Sequence, residues 1–166
     1  MGTIFAMRAK LTLPVAFLGV LLCASSFAKT ITDDKMGVSV DLPDDWKLEE
    51  GKRITATSDD GVMLIVVRFD RELPDVIIKR LADEMVPIMD DAKAADDLEK
   101  VVVHGIQAQK FTGHAKRDEK AVKFTCLLLS KDSTSTFAVI ALGPETRFKQ
   151  HLRDIDTALD SVRPKE

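Results

Sequence analysis

Apolar and polar positions change their period several times along the chain, and each change marks an element. Val38, Val40 and Leu42 alternate with polar residues, which predicts a short strand over 37–42, ended by Pro43. Asp44, Asp45 and Trp46 read as a turn, and Gly51 marks another. A second strand is predicted over 54–58, and Ser58-Asp59-Asp60-Gly61 has hairpin-turn chemistry. Met63 to Val67 is continuously apolar and leads to Phe69, the pattern of a strand covered on both faces.

After Pro74 the spacing becomes three and four. Ile77, Ile78, Leu81, Met85, Ile88 and Met89 predict an amphipathic helix that Pro87 kinks or ends. Residues 90–97 read as a polar connection. Strands follow over 100–104 and 107–116, with Gly105 allowing the tight turn between them. Arg117-Asp118-Glu119 makes the next turn. Residues 121–130 and 134–142 form another hairpin around Lys131-Asp132-Ser133, and Val122, Phe124, Cys126 and Leu128 share one strand face. Gly143-Pro144 opens a last helix, with Glu145 on its positive dipole end. Phe148, Leu152, Ile155, Leu159 and Val162 form its apolar stripe, and Pro164 stops it. The order is ββ(β)-α-ββββ-α. Runs of strands, in place of strict alternation with helices, mean an antiparallel sheet and an α+β fold with helices flanking that sheet.

Residues 1–28 follow a different logic. They contain no acidic residue, and Arg8 and Lys10 precede the apolar run Leu11 to Leu22. Small residues follow, ending in Ser26-Phe27-Ala28. This is the pattern of a signal peptide cleaved after Ala28, with Met1 or Met7 as the start. The run is shorter than the ~20 residues a spanning helix needs, so the mature chain is expected to have no transmembrane span. Cys23 raises the rival of a lipoprotein, but Leu22 stands where lipid attachment wants a small residue. Residues 29–166 read as a single domain without internal repeats or a Gly-, Pro- or Ser-rich linker.

Charge and composition narrow the function classes. The 166-residue chain has 24 Lys+Arg against 27 Asp+Glu, a net charge of -3. Loss of Arg8 and Lys10 with the leader makes the mature chain more acidic still. Such a surface is repelled by phosphate backbones and anionic lipid, so no nucleic-acid partner is expected. With Cys23 removed, Cys126 has no partner for a disulfide, and its strand position reads as a small buried hydrophobe.

Candidate chemistry is sparse. His104, His114 and His151 show no metal-ligand spacing, and no metal or cofactor is expected. The acidic pairs Asp33-Asp34, Asp44-Asp45, Asp59-Asp60, Asp90-Asp91 and Asp96-Asp97 lie at turns or element ends, where Asp caps and closes turns. None fits a calcium loop. No nucleophile elbow and no Gly-rich phosphate loop occurs, so no catalytic residue is assigned and no enzyme activity is expected. Trp46, the one Trp, is the candidate interface residue, weighed against packing at the sheet edge.

Met36 to Trp46, an alternating strand followed by Leu42-Pro43-Asp44-Asp45-Trp46, resembles the opening of PsbP-like domains. The turn at 58–61 before an apolar strand, the single mid-chain helix, the strands after it and the closing Ser161-Val162-Arg163 extend the resemblance to most of the mature chain. The resemblance implies an α/β/α sandwich around a central antiparallel sheet. Members of that superfamily, which includes the bacterial DcrB-like lipoproteins, are mostly adaptors, assembly factors or chaperones. The expected protein is therefore a periplasmic or secreted, non-enzymatic adaptor or assembly factor whose partner is another envelope or secreted protein. Two alternatives stand beside it. One is a carrier of a small apolar ligand or lipid, lined by Met63, Met85 and Met89. The other is a metal-assisted hydrolase, which needs at least two of the three histidines to converge.

Overall fold

The computed structural model describes residues 28–49, 51, 53–70, 72, 74–85, 90–94, 98–130 and 135–165. In chain order the elements are β1 (Ala28–Asp33), β2 (Val38–Pro43), β3 (Lys47–Glu49), β4 (Ile54–Thr57), β5 (Met63–Asp70), α1 (Pro74–Met85), β6 (Asp90–Ala94), β7 (Glu99–Val103), β8 (Ile106–Arg117), β9 (Lys120–Ser130), β10 (Ser135–Pro144), α2 (Glu145–Gln150), α3 (Leu152–Ser161) and β11 (Arg163–Pro164). Residues 1–27 of the leader, Cys23 among them, and Pro87, Ile88, Met89, Asp96, Asp97 and the turn at 131–133 lie outside the described residues.

All described strand pairs are antiparallel. The main sheet runs β3-β4-β5-β10-β9-β8, and β6 and β7 both pair with β8 along its outer side. A small second sheet has the order β1-β2-β11. The side-chain period of two divides the main sheet into two apolar faces. On one face Ile54, Leu64, Leu127, Leu129 and Val139 meet Phe148, Ile155 and Leu159 of the C-terminal helices and Val38 and Val40 of β2. On the other, Phe111, Phe124, Cys126, Leu128 and Ile140 meet Ile77 and Leu81 of α1. Helices thus cover both faces, and the fold is the α+β sandwich around an antiparallel sheet that the sequence implied.

The residues that carry the resemblance are structural. Trp46 N–H bonds to the Pro43 carbonyl at 3.2 Å, closing the turn after β2. Ser161 Oγ donates to the Ala158 carbonyl at 2.8 Å and accepts the Asp41 N–H at 2.8 Å, so it ends α3 and docks it onto β2.

Several expectations are corrected. The double cover expected for the Met63 run belongs to β9 and β10 instead. In β5 only Leu64 and Val66, on the face of the C-terminal helices, and Phe69, on the α1 face, are buried, while Met63, Ile65 and Val67 on the α1 face stay half-buried. Residues 90–94 form β6, not a connection, and 47–49 form β3. Both occupy the sheet's outer positions, where backbone pairing does not require an apolar alternation. Residues 28–33 are β1, built into the small sheet ahead of the first expected strand. The last helix is interrupted at His151, whose φ of -96° and ψ of 10° separate α2 from α3. Leu152, expected in the stripe, is exposed.

Close backbone approach explains Gly143. A Cβ there meets Cα and Cγ2 of buried Val62 at 3.0 Å. Gly143→Ala is expected to cost about 1–3 kcal/mol, the usual range for overpacking. The check is the urea midpoint, and an unchanged midpoint would show that the segment around Val62 yields freely.

Candidate functional site

Three of the singled-out residues, His151, Asp60 and Trp46, come together. His151, at the joint of α2 and α3, sets its Nε2 3.1 Å from Asp60 Oδ1 in the β4–β5 turn. Its Nδ1 lies 3.3 Å from Asp154 Oδ2. The ring stands edge-on to Trp46, with centroids 5.6 Å apart and planes at 80°. Both carboxylates accept, so both bonds form together only when both ring nitrogens carry a proton.

The turn around Asp60 is equally bound. Ser58 Oγ donates to Asp60 Oδ1 at 2.7 Å and accepts the Val62 N–H at 2.9 Å. Arg147 Nε lies 3.8 Å from Asp60 Oδ2. The Ser58 hydrogen bond outweighs the opposing effect of burial and, with further help from His151 and Arg147, holds the Asp60 carboxyl below its ordinary 3.8. Stability from this group is therefore present above the unfolded pKa and is lost as pH falls through the depressed folded value. Asp60→Asn is expected to flatten the acid limb of the stability–pH curve below about pH 4. Asp60 keeps 30% of its side chain exposed, so added salt should shrink the difference between the two proteins. Identical acid limbs would rule this coupling out.

Chemically this cluster is a clasp. Both nitrogens of His151 face carboxylates, and Ser58 contacts Asp60, not the ring. A nucleophilic relay needs the imidazole between hydroxyl and carboxylate, and that order is not present here. Trp46 is only 6% exposed and packs in the larger core, as the packing alternative had it.

The remaining candidates stand apart. His104 is exposed on the β7–β8 turn with φ of 49°, where its Nε2 accepts from Arg163 Nε at 3.3 Å. His114 is exposed on β8, in register with Lys93 and Lys123. Among the described residues no contact joins two histidines, and no three His, Cys, Asp or Glu side chains gather as a metal site. Burial pushes the Cys126 thiol far up, which keeps it protonated and unreactive. Met63 is half-buried and lines an open surface groove of about 170 Å³ with Leu142 and Pro144.

What the sequence did not single out is the outer edge at β7. Val102 is 61% exposed, and Leu98, just before the strand, is 50% exposed. Lys100 lies between them. Residues Val101 and Val103 pack toward the core that holds α2 and α3. Lys100 therefore falls on the opposite face, where it lines an open groove of about 330 Å³ with Pro74 of α1 and Gln107, Gln109, Leu128 and Ser130. Gln109 Oε1 is buried there without a hydrogen-bond partner among the described residues. The sequence shows only the apolar run Val101-Val102-Val103 after Glu99-Lys100, and such a run does not reveal which face lacks a cover.

Neither a family model nor a curated protein sequence matches the chain. Solved structures do. The solution structure of cyanobacterial PsbP (CyanoP) from Synechocystis sp. PCC 6803 matches with a TM-score of 0.62 at 14% identity, over 91% of this chain and 99% of that one. LpqN of Mycobacterium tuberculosis, described as involved in cell envelope biogenesis, matches at 0.55 and 12%, over 84% and 91%. The Saccharomyces cerevisiae Ran-binding protein Mog1p matches at 0.54 and 9%, over 84% and 96%.

Proposed function

The chain has the PsbP/Mog1p-like fold, and we propose that it works as an exported adaptor or assembly factor that acts by binding another envelope protein. One observation carries the reading: apolar side chains stay exposed beside a sheet edge that no described strand covers. Singly exposed apolar residues are ordinary, but a set of them along an open edge is the form a binding surface takes. Two further facts support it. Proteins of this fold include one described as involved in cell envelope biogenesis and one described as Ran-binding. The leader over residues 1–28 supports export.

Native mass spectrometry of the protein, purified gently from its host's envelope fraction, tests the reading. The expected result is a chain beginning at Lys29 in complex with a second protein. A chain carrying only a lipid or a metal ion, or one that stays bare after crosslinking in intact cells, would overturn it.

A further inference from the structure

We propose that β7 receives an extended segment of a different protein as an added strand, and that this segment places an acidic residue opposite Lys100 with apolar residues two positions to either side. This rests on the adaptor reading and names its surface and the partner's chemistry.

The backbone supplies the first argument. Val103 pairs with Ile106 across His104 and Gly105, both at positive φ, which is the two-residue hairpin turn of matching twist. The pair that flanks such a turn exchanges both ladder hydrogen bonds. Val101 and Val103 thus bond to β8, and the N–H and C=O groups of Lys100 and Val102 point outward. No other strand among the described residues pairs with them. These groups are a template for strand addition.

Side chains select the occupant. On the α1 side, an added strand meets Leu98, Lys100 and Val102 in turn, and the groove behind them receives one of its side chains. Lys100 makes no ion pair among the described residues, and it is the charged residue in the groove's lining. Gln109 Oε1 is buried in that lining without a hydrogen-bond partner among the described residues, and a rotation of its side chain would turn this acceptor toward an N–H of the occupant.

A second copy of this chain fits poorly. In the two-fold register that sets Leu98 against Val102 of the copy, Lys100 stands directly opposite Lys100. Like charges directly opposed across strands are destabilising. A lysine at the centre of an open edge is also a known guard against self-pairing. An acidic residue at that position reverses the sign of the contact.

The purified full chain, panned against a phage library of random linear peptides, tests the proposal. Enriched peptides are expected to carry the spacing apolar-x-acidic-x-apolar. Val102→Pro removes an outward N–H and leaves the β8 ladder whole, and should weaken their binding about tenfold or more. Lys100→Glu, a surface change that leaves the core untouched, should shift selection toward basic peptides. Val102→Thr, which keeps both strand geometry and the N–H, should retain most of the affinity, and circular dichroism confirms the fold of each variant. Absence of enrichment, enrichment without that spacing, or binding indifferent to both Val102→Pro and Lys100→Glu would overturn the proposal. So would a homodimer that Val102→Pro dissolves. If an envelope protein still co-purifies with Val102→Pro at wild-type yield, the edge proposal falls and the adaptor reading stands. If none co-purifies with the wild type, the adaptor reading itself falls.

Discussion

Phe148→Ala should lower the unfolding free energy by about 3–5 kcal/mol, the range for truncating a buried aromatic. Phe148 is among the largest fully buried side chains in the chain. It is also the buried residue of α2, a helix of six residues with no side-chain hydrogen bond at its N-cap. A helix this short does not hold itself together in water, so packing of this ring keeps it on the sheet. Lys123 Nζ lies 5.8 Å from the ring centroid and loses that contact too. Urea unfolding followed by far-ultraviolet circular dichroism measures the loss. A change under about 1 kcal/mol would place the anchor of α2 elsewhere, since core truncations of this kind cost several times that.

Trp46→Ala should cost nearly as much, about 3–5 kcal/mol, because it empties a buried site where the turn after β2 meets the α2–α3 joint. Trp46→Phe separates two contributions. Trp46 Nε1 has no hydrogen-bond partner among the described residues. Replacement by Phe therefore forfeits volume and no hydrogen bond, and should cost roughly half as much as Ala or less. Comparable costs for the two substitutions would mean that the indole nitrogen is bonded in solution, to ordered water for example. Both are read by circular dichroism, since the tryptophan fluorescence is gone.

Much of the fold was legible because its elements obey a local period. The strand with Val38, Val40 and Leu42, the helix after Pro74 and the hairpin turn at 58–61 all lie where side-chain alternation and turn chemistry put them. β3 and β6 were not legible. β3 pairs with the adjacent β4 and β6 with β8, both at the margin of the sheet, and marginal strands need no apolar face. The break at His151 left no trace either. No Gly or Pro stands between Glu145 and Ser161, and the interruption coincides with bonds to Asp60, ninety-one positions earlier in the chain. The candidate surface was hidden too: Val102 reads as one more core valine, and only the pairing shows that among the described residues β8 alone lies beside β7.

Composition and short-range periodicity were enough for the leader pattern, the α+β class and the apolar sets that became the faces of the sheet, because each of these is local in the chain. Which strands end the sheet, the meeting of Trp46 with His151, and the place of Leu98, Lys100 and Val102 along an edge that no described strand covers emerge from the folded arrangement alone. Those outcomes depend on which element covers which face, and that choice is made by packing among residues far apart in the chain.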